Sequence, residues 1–373
     1  MFRKIYIFSF IEAFGSYLVT PVLSIFIIKT LGFDIKIATI ALIILHFSRY
    51  ILSFPAGCLT DFFSIRSTAF IGSIIRSIGY LILASSPYMV SLVFLAVFFI
   101  GFGGALITPS LSKSLSLAQG ELDFKFRINS IVYSLGTSVS LLFISLVSDK
   151  NISISFYFAS FCFMLTGVIS LFLPSILTEK FFNFNFSTSY KVFIDTFRIN
   201  IRLVLFTILY SQLYYLIPMI INMESLEYNY LTLIYFINCL FFVVLQPLII
   251  KFNLLKKLES TCYFSLVSFL FCYITINYKV SFLSIIIFSV FYGLACSMSE
   301  AKFMSEVSKV VAIKDMGLAS GLSLLFRGIG LITGNLIGYL CLKISSYDIP
   351  IFLPIYAILL VFILVNFKLK LTS

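Results

Sequence analysis

The chain predicts an all-α membrane protein with twelve transmembrane helices in two pseudo-symmetric six-helix bundles. Three observations carry that expectation. First, 61% of the 373 residues are hydrophobic and 11% are charged, less than half the ~25% charge of an ordinary soluble domain. Second, apolar runs recur at about the 20-residue length that crosses ~30 Å of hydrocarbon as a helix. They lack the strict alternation of barrel strands, and backbone groups that find no water in lipid must bond within a helix. Third, one long polar interval, Thr178 to Arg202, divides the runs into two groups, and an offset of 192 residues superposes Pro55 on Pro247, Gly101 on Gly293 and Gly136 on Gly328. Parallel six-helix halves of this kind are a transporter plan, with the cargo site at the midplane between them.

The spans follow in order. Residues 1–177 are expected to form the N-terminal six-helix bundle. Span 1, Ile5 to Ile28, shows no small-residue cleavage site and reads as a retained helix; it holds Glu12 and Tyr17. Span 2, Ile37 to Leu59, carries His46, Arg49, Ser53 and Gly57 on one stripe at helical spacing. Span 3, Ser67 to Ser85, holds Arg76. Span 4, Tyr88 to Leu111, ends on the glycine-rich run with Gly101, Gly103 and Gly104. Spans 5 and 6 are Ile128 to Val147 and Ile152 to Leu173.

Residues 178–200 read as a cytoplasmic linker and 201–373 as the C-terminal bundle. Span 7, Ile201 to Ile221, brings Gln212, Tyr214 and Tyr215, and span 8, Leu231 to Ile250, brings Asn238. With Tyr17 these are the polar and aromatic candidates for a cargo wall, since apolar walls with a few placed polar groups suit amphipathic ligands. Span 9 is Thr261 to Ile276. Span 10, Val280 to Met304, carries Glu300. Span 11, Ala319 to Leu342, carries Arg327 and the ridge Gly330, Gly334 and Gly338, whose four-residue repeat lets a neighbouring helix approach closely. Span 12 is Pro350 to Phe367.

Charge orients the set. With the N-terminus inside, inner segments hold 18 of the lysines and arginines, outer loops 5 and the spans 3. That asymmetry places both termini in the cytoplasm. The net charge of +11 follows from this topology, and its dispersal does not form the contiguous patch that nucleic acid requires. Seven cysteines lie in or beside apolar runs without a C-x-x-C pair, so they read as free thiols with neither disulfide nor metal site. No phosphate loop, metalloprotease helix or nucleophile elbow occurs. Enzymatic chemistry and direct use of ATP are therefore not expected.

Between spans 2 and 3, "GCLTDFFSIR" sets Asp61 and Arg66 in an otherwise apolar stretch. It resembles the loop signature G-x-L-x-D-r-x-G-r-r/k of the major facilitator superfamily, matching at Gly57, Leu59, Asp61 and Arg66 and departing at Phe62, Ser64 and Ile65. "GFGGALITPS" is similar to the family's fourth helix. "YSQLYYLIPMI", "SEAKFMSEV" and "LASGLSLLFRGIGLITGNLIGYL" resemble helices 7, 10 and 11 of its drug:proton antiporter branch. Where many antiporters carry an arginine four residues before the helix 4 glycine, this chain has Val97. The resemblance implies that Gly57, Asp61 and Arg66 form a gating loop, latching helix ends of the opposite half while the cytoplasmic side is shut. Arg76 would brace that loop. The alternative for Asp61 is a plain cap on the third helix.

Ionisable groups at membrane depth are expensive, at ~2.5 to 3.5 kcal/mol on the insertion scale, and so suggest function. Glu12 and Glu300 are the candidate proton carriers, because a carboxyl moved between dry and wet surroundings changes its affinity for protons; the alternative for each is a permanent pair with a nearby arginine. His46, the only histidine, could couple to protons or simply pack. Arg49 and Arg327 could pair with acids or anchor an anionic part of the cargo. The expectation is a proton-driven, monomeric exporter of small amphipathic compounds in the bacterial cytoplasmic membrane. It would need no cofactor beyond the proton gradient, and its partners would be cargo, protons and lipid. Export of a self-made metabolite such as a siderophore is the runner-up, and a receptor or scaffold the reading from another class.

Overall fold

Every regular element among the described residues is helical, as the sequence predicts. The computed structural model describes residues 2–23, 26–85, 88–146, 152–174, 186–213, 217, 229–252, 257–278, 281–345, 355, 358 and 361. Among them, nine helical stretches are long and apolar enough to cross a membrane. Large parts of spans 7 and 12 lie outside the described residues, and span 1 is interrupted.

That interruption has a local cause. Helix α1 (Phe2–Tyr17) ends in turns and the chain then enters a wide π turn, Phe26–Thr30. Pro21 has no N–H for the carbonyl of Tyr17, and its ring would crowd that carbonyl in a regular helix. The second span repeats the device: α2 (Ile35–His46), a π turn at Phe47–Ile51, then α3 (Ser53–Phe62). Pro55 likewise cannot serve the carbonyl of Ile51, the last residue of the π turn. The single helical stripe expected for His46, Arg49, Ser53 and Gly57 is therefore broken between Arg49 and Ser53.

Helix α4 (Ile65–Ala84) opens with a capping box in which the Ser67 N–H donates to Ser64 Oγ and the Ser64 N–H to Ser67 Oγ, both at 3.1 Å. The serine that departs from the family signature thus supplies the cap, and Asp61 is left for another use. Helix α4 packs on α5 (Val90–Leu117) and α7 (Ile152–Ser170), and α1 packs on α7. Glycine makes the first contact possible: a Cβ on Gly72 would stand 2.8 Å from the Gly103 carbonyl, and one on Gly79 would stand 2.7 Å from that of Ala96. Gly101 abuts Ser48 of the π turn, and a Cβ on Gly136 of α6 (Leu122–Leu146) would stand 2.5 Å from the Phe10 carbonyl.

The later helices are α8 (Phe186–Ser211), α9 (Asn229–Lys251), α10 (Leu258–Tyr278), α11 (Phe282–Val310) and α12 (Met316–Ser345). Helix α8 begins within the interval read as a linker. Outward positions such as Ile43, Phe161, Leu283 and Leu336 stay apolar and exposed, the pattern a lipid-facing surface requires. Inside, hydroxyls are met locally, as when Thr60, Ser73 and Ser110 donate to carbonyls four residues back,.

Packing divides the chain into two units. One comprises Met1–Lys125, Val132–Asp195 and Val307–Leu325; the other comprises Phe126–Ile131, Thr196–Glu306 and Phe326–Ser373. Within the first, Ser116 and Ser308, 192 residues apart, bring their hydroxyls to 3.2 Å. That separation equals the offset of the internal repeat.

Candidate functional site

Three clusters gather the chemistry. In the first, Asp61 at the end of α3 sits on the first turn of α12. Its Oδ1 accepts from the Gly317 N–H at 3.0 Å and its Oδ2 from the Leu318 N–H at 2.7 Å. Free N–H groups and the helix dipole make such a terminus a seat for an anion. Lys113 Nζ donates to Asp61 Oδ1 at 2.5 Å and to the Lys314 carbonyl at 3.4 Å, with the lysine side chain 1% exposed and the aspartate 18%.

The approach of α3 to α12 depends on bare backbone. A Cβ on Gly57 would strike the Gly317 carbonyl, one on Gly317 would stand 2.7 Å from that of Gly57, and one on Gly321 would strike that of Ser53. Ser53 Oγ donates to the Gly321 carbonyl at 2.9 Å. Arg66 serves a different joint, its Nε donating to the Leu173 carbonyl just past α7 at 2.6 Å. Lys113, Gly317 and Gly321 were not singled out by sequence reasoning. The signal for Lys113 was a lysine among serines at the end of a long apolar helix.

The second cluster is buried in the first unit. Arg76 Nη1 donates to Glu12 Oε1 at 2.8 Å and Nη2 to Ser16 Oγ at 2.9 Å, while Ser16 Oγ lies 3.2 Å from Glu12 Oε1. Both charged side chains are 4% exposed or less. Arg76 also lies over the Phe163 ring at 4.3 Å. Its polar contacts therefore run to α1, whereas those of Asp61 run to Lys113 and α12.

Arg49, in the π turn, adjoins this pair. Its Cγ and Nε stand 3.6 Å from a Cβ position on Gly104, as does Arg76 Nη1, and its guanidinium is 5.8 Å from the Tyr50 ring. Tyr133 of α6, absent from the sequence-based candidates, lies within electrostatic range of Glu12, Tyr17, Arg49 and Arg76. The Tyr17 and Tyr133 rings meet edge to face at 6.2 Å. His46 stacks on Tyr50 at 6.0 Å, and its Nδ1 has no hydrogen-bond partner among the described residues.

The third cluster belongs to the second unit. Arg327 Nη2 donates to Glu300 Oε1, joining α12 to α11, and the guanidinium stands 5.4 Å over the Tyr210 ring. These side chains remain 24% and 27% exposed. Gln212 Nε2 donates to the Gly334 carbonyl at 2.8 Å and to that of Ile208 at 2.9 Å, so this amide ties α12 to the end of α8. Gly334 lies against Ser211, and a Cβ on Gly330 would stand 2.7 Å from the Val204 carbonyl. Asn238 is buried, with neither amide atom hydrogen-bonded among the described residues. Arg127 Nη1 donates to Gln246 Oε1 at 3.2 Å. Tyr214 and Tyr215 lie outside the described residues.

Residues 5–278 match the family model described as Major Facilitator Superfamily. No curated protein matches the chain. Among solved structures, the human organic anion transporter TETRAN superposes with a TM-score of 0.79 at 12% identity, over 98% of this chain and 98% of that one. A POT family transporter in complex with a thioalcohol-conjugated peptide gives 0.79 at 16% identity, over 100% of this chain and 96% of that one. The E. coli fucose:proton symporter gives 0.73 at 14%, over 100% and 98%. At these identities the likeness is one of fold.

Proposed function

Because the chain belongs to the Major Facilitator Superfamily, we propose that this multi-pass secondary transporter exports small amphipathic compounds in exchange for protons by alternating access, like the drug:proton antiporters its sequence resembles. It is a transporter and not an enzyme. We place it in the bacterial cytoplasmic membrane with both termini inside, acting as a monomer.

The observation that carries the proton-coupled reading is the Glu300–Arg327 pair. A carboxylate in a predicted span is held by an arginine yet keeps 27% of its side-chain surface accessible, the exposure that a group taking up and releasing a proton requires. Glu12 is sealed at 4% and bound by Arg76 and Ser16, which suits a fixed strut. A proton on Glu300 cancels the charge that holds Arg327, and Arg327 lies about 15 Å along α12 from Gly317 at the ~1.5 Å rise of a helix. Both Arg327 and the turn on which Asp61 sits belong to α12. Protonation would loosen α12 from α11, and movement of that helix would pull its first turn off Asp61. The Asp61 contacts bias the conformational equilibrium without touching cargo.

Export of a self-made metabolite such as a siderophore is the second reading, favoured by the arginines at membrane depth. A scaffold that moves nothing gains no return for the insertion cost of these charges.

The test uses the purified protein in liposomes with an imposed pH gradient. Amphipathic compounds added on the side matching the cytoplasm are expected to accelerate proton movement. Glu300→Gln should abolish that coupling while still binding the compounds, and Glu12→Gln, if it folds, should keep it. Absence of compound-driven proton movement across a broad panel overturns the reading.

A further inference from the structure

Three arginines fall within the spans predicted from sequence, and their partners differ. Arg76 is matched by Glu12 and Arg327 by Glu300. Arg49 makes no hydrogen bond and no ion pair among the described residues; its contacts are the Tyr50 ring and the electrostatic reach of Tyr133, Glu12 and Tyr17. Glu12 cannot neutralise it, since that carboxylate already serves Arg76 and Ser16. Among the described residues two guanidiniums therefore share one carboxylate, which leaves the cluster one uncompensated positive charge. The other side chains around it are Tyr17, Tyr50, Tyr133 and His46.

Access differs in the same sense. Glu12 and Arg76 are 3% and 2% exposed, while Arg49, Tyr17 and Tyr133 are only half-buried. The matched pair is sealed, and the unmatched cation keeps part of its side chain accessible. The π turn contributes, because it interrupts the helical stripe so that Arg49 lies against Gly104 beside the charge pair, while Ser53 and Gly57 meet α12.

We propose that the cargo carries a single anionic group, a carboxylate or its equivalent, that docks on the Arg49 guanidinium with its apolar body against the Tyr17 and Tyr133 rings. This deepens the exporter reading and rests on it. A guanidinium fork meets a carboxylate with two parallel hydrogen bonds, and such charge-assisted pairs are the strong ones. A docked monoanion restores neutrality to the cluster. A cation would meet a like charge there, and a neutral amide would leave the guanidinium uncompensated.

The test compares three probes of one shape on the full-length protein in lipid nanodiscs: 1-naphthoate, 1-naphthamide and 1-naphthylmethylammonium, read by thermal stabilisation. Naphthoate is expected to stabilise the wild-type protein at concentrations where the amide and the amine do not. Arg49→Gln should weaken naphthoate binding by at least about tenfold, and Arg49→Lys by less, because the charge remains without the fork. Lys4→Gln, on an exposed lysine, should leave it unchanged. If Arg49→Gln does not fold, Arg49→Lys decides by the same comparison. Equal stabilisation by naphthamide and naphthoate, or full naphthoate affinity in the folded Arg49 variants, overturns the proposal. Binding is read without transport, so the two readings separate. Proton movement driven only by neutral or cationic compounds sinks the anion site and leaves the exporter standing. Naphthoate binding at Arg49 without proton movement for any compound supports the site and sinks the exporter.

Discussion

At the scale of single residues, the sequence told which side chains carry charge in lipid but not which pairs they form. Glu12 and Arg76 are 64 positions apart, and nothing in either local stretch names the other; only packing of α4 beside α7 and α1 makes them neighbours. Asp61 was legible from its loop. Its seat was not, because backbone N–H groups of Gly317 and Leu318 leave no mark in side-chain chemistry. Asp61→Asn removes the charge that Lys113 and the α12 terminus hold, and transport is expected to fall about tenfold. Cys58, partly exposed one turn away, should then label faster with a membrane-permeant maleimide in a Cys239→Ser background. Unchanged labelling and transport would remove Asp61 from gating. Glu12→Gln leaves Arg76 buried without its anion and should cost about 3 to 5 kcal/mol, read as a lowered melting temperature. Glu300→Gln should cost clearly less, since that pair is about a quarter exposed.

At the scale of elements, helix existence followed from apolar run length, and most limits fell near expectation. The π turns did not. A proline four residues after a carbonyl signals that one bond is lost, but whether the helix kinks, stops or widens depends on what packs there, and Ser48 against Gly101 is a contact no periodicity reports. The glycines separate cleanly by neighbour. Gly57→Ala would drive a methyl into the Gly317 carbonyl, and we expect transport to be lost even where the protein still inserts. Gly104→Ala meets nothing nearer than 3.6 Å, and replacing a mid-helix glycine gains roughly 0.5 to 1 kcal/mol of backbone entropy. Its melting temperature should hold or rise. Equal damage from the two substitutions would show that bare backbone between α3 and α12 is not what motion requires.

At the scale of the molecule, composition alone reached the membrane class, and the long polar interval pointed to the two-bundle fold. What composition could not reach is the exchange of short ends between packing units. Val307–Leu325 joins the first unit through Gly317 and Gly321, and Phe126–Ile131 joins the second, in which Arg127 bonds Gln246. Lysine and arginine counts predict both ends inside, so a fluorescent protein fused after Ser373 should glow in the cytoplasm and alkaline phosphatase at the same point should stay inactive. The reverse result would invert every loop assignment. The Ser116–Ser308 contact spans the 192-residue offset. Were two copies of one half-length chain to pair about a twofold axis, this serine would face itself, and one substitution would change both sides of the contact. In the single chain the two positions can be changed one at a time, and both carry a hydroxyl.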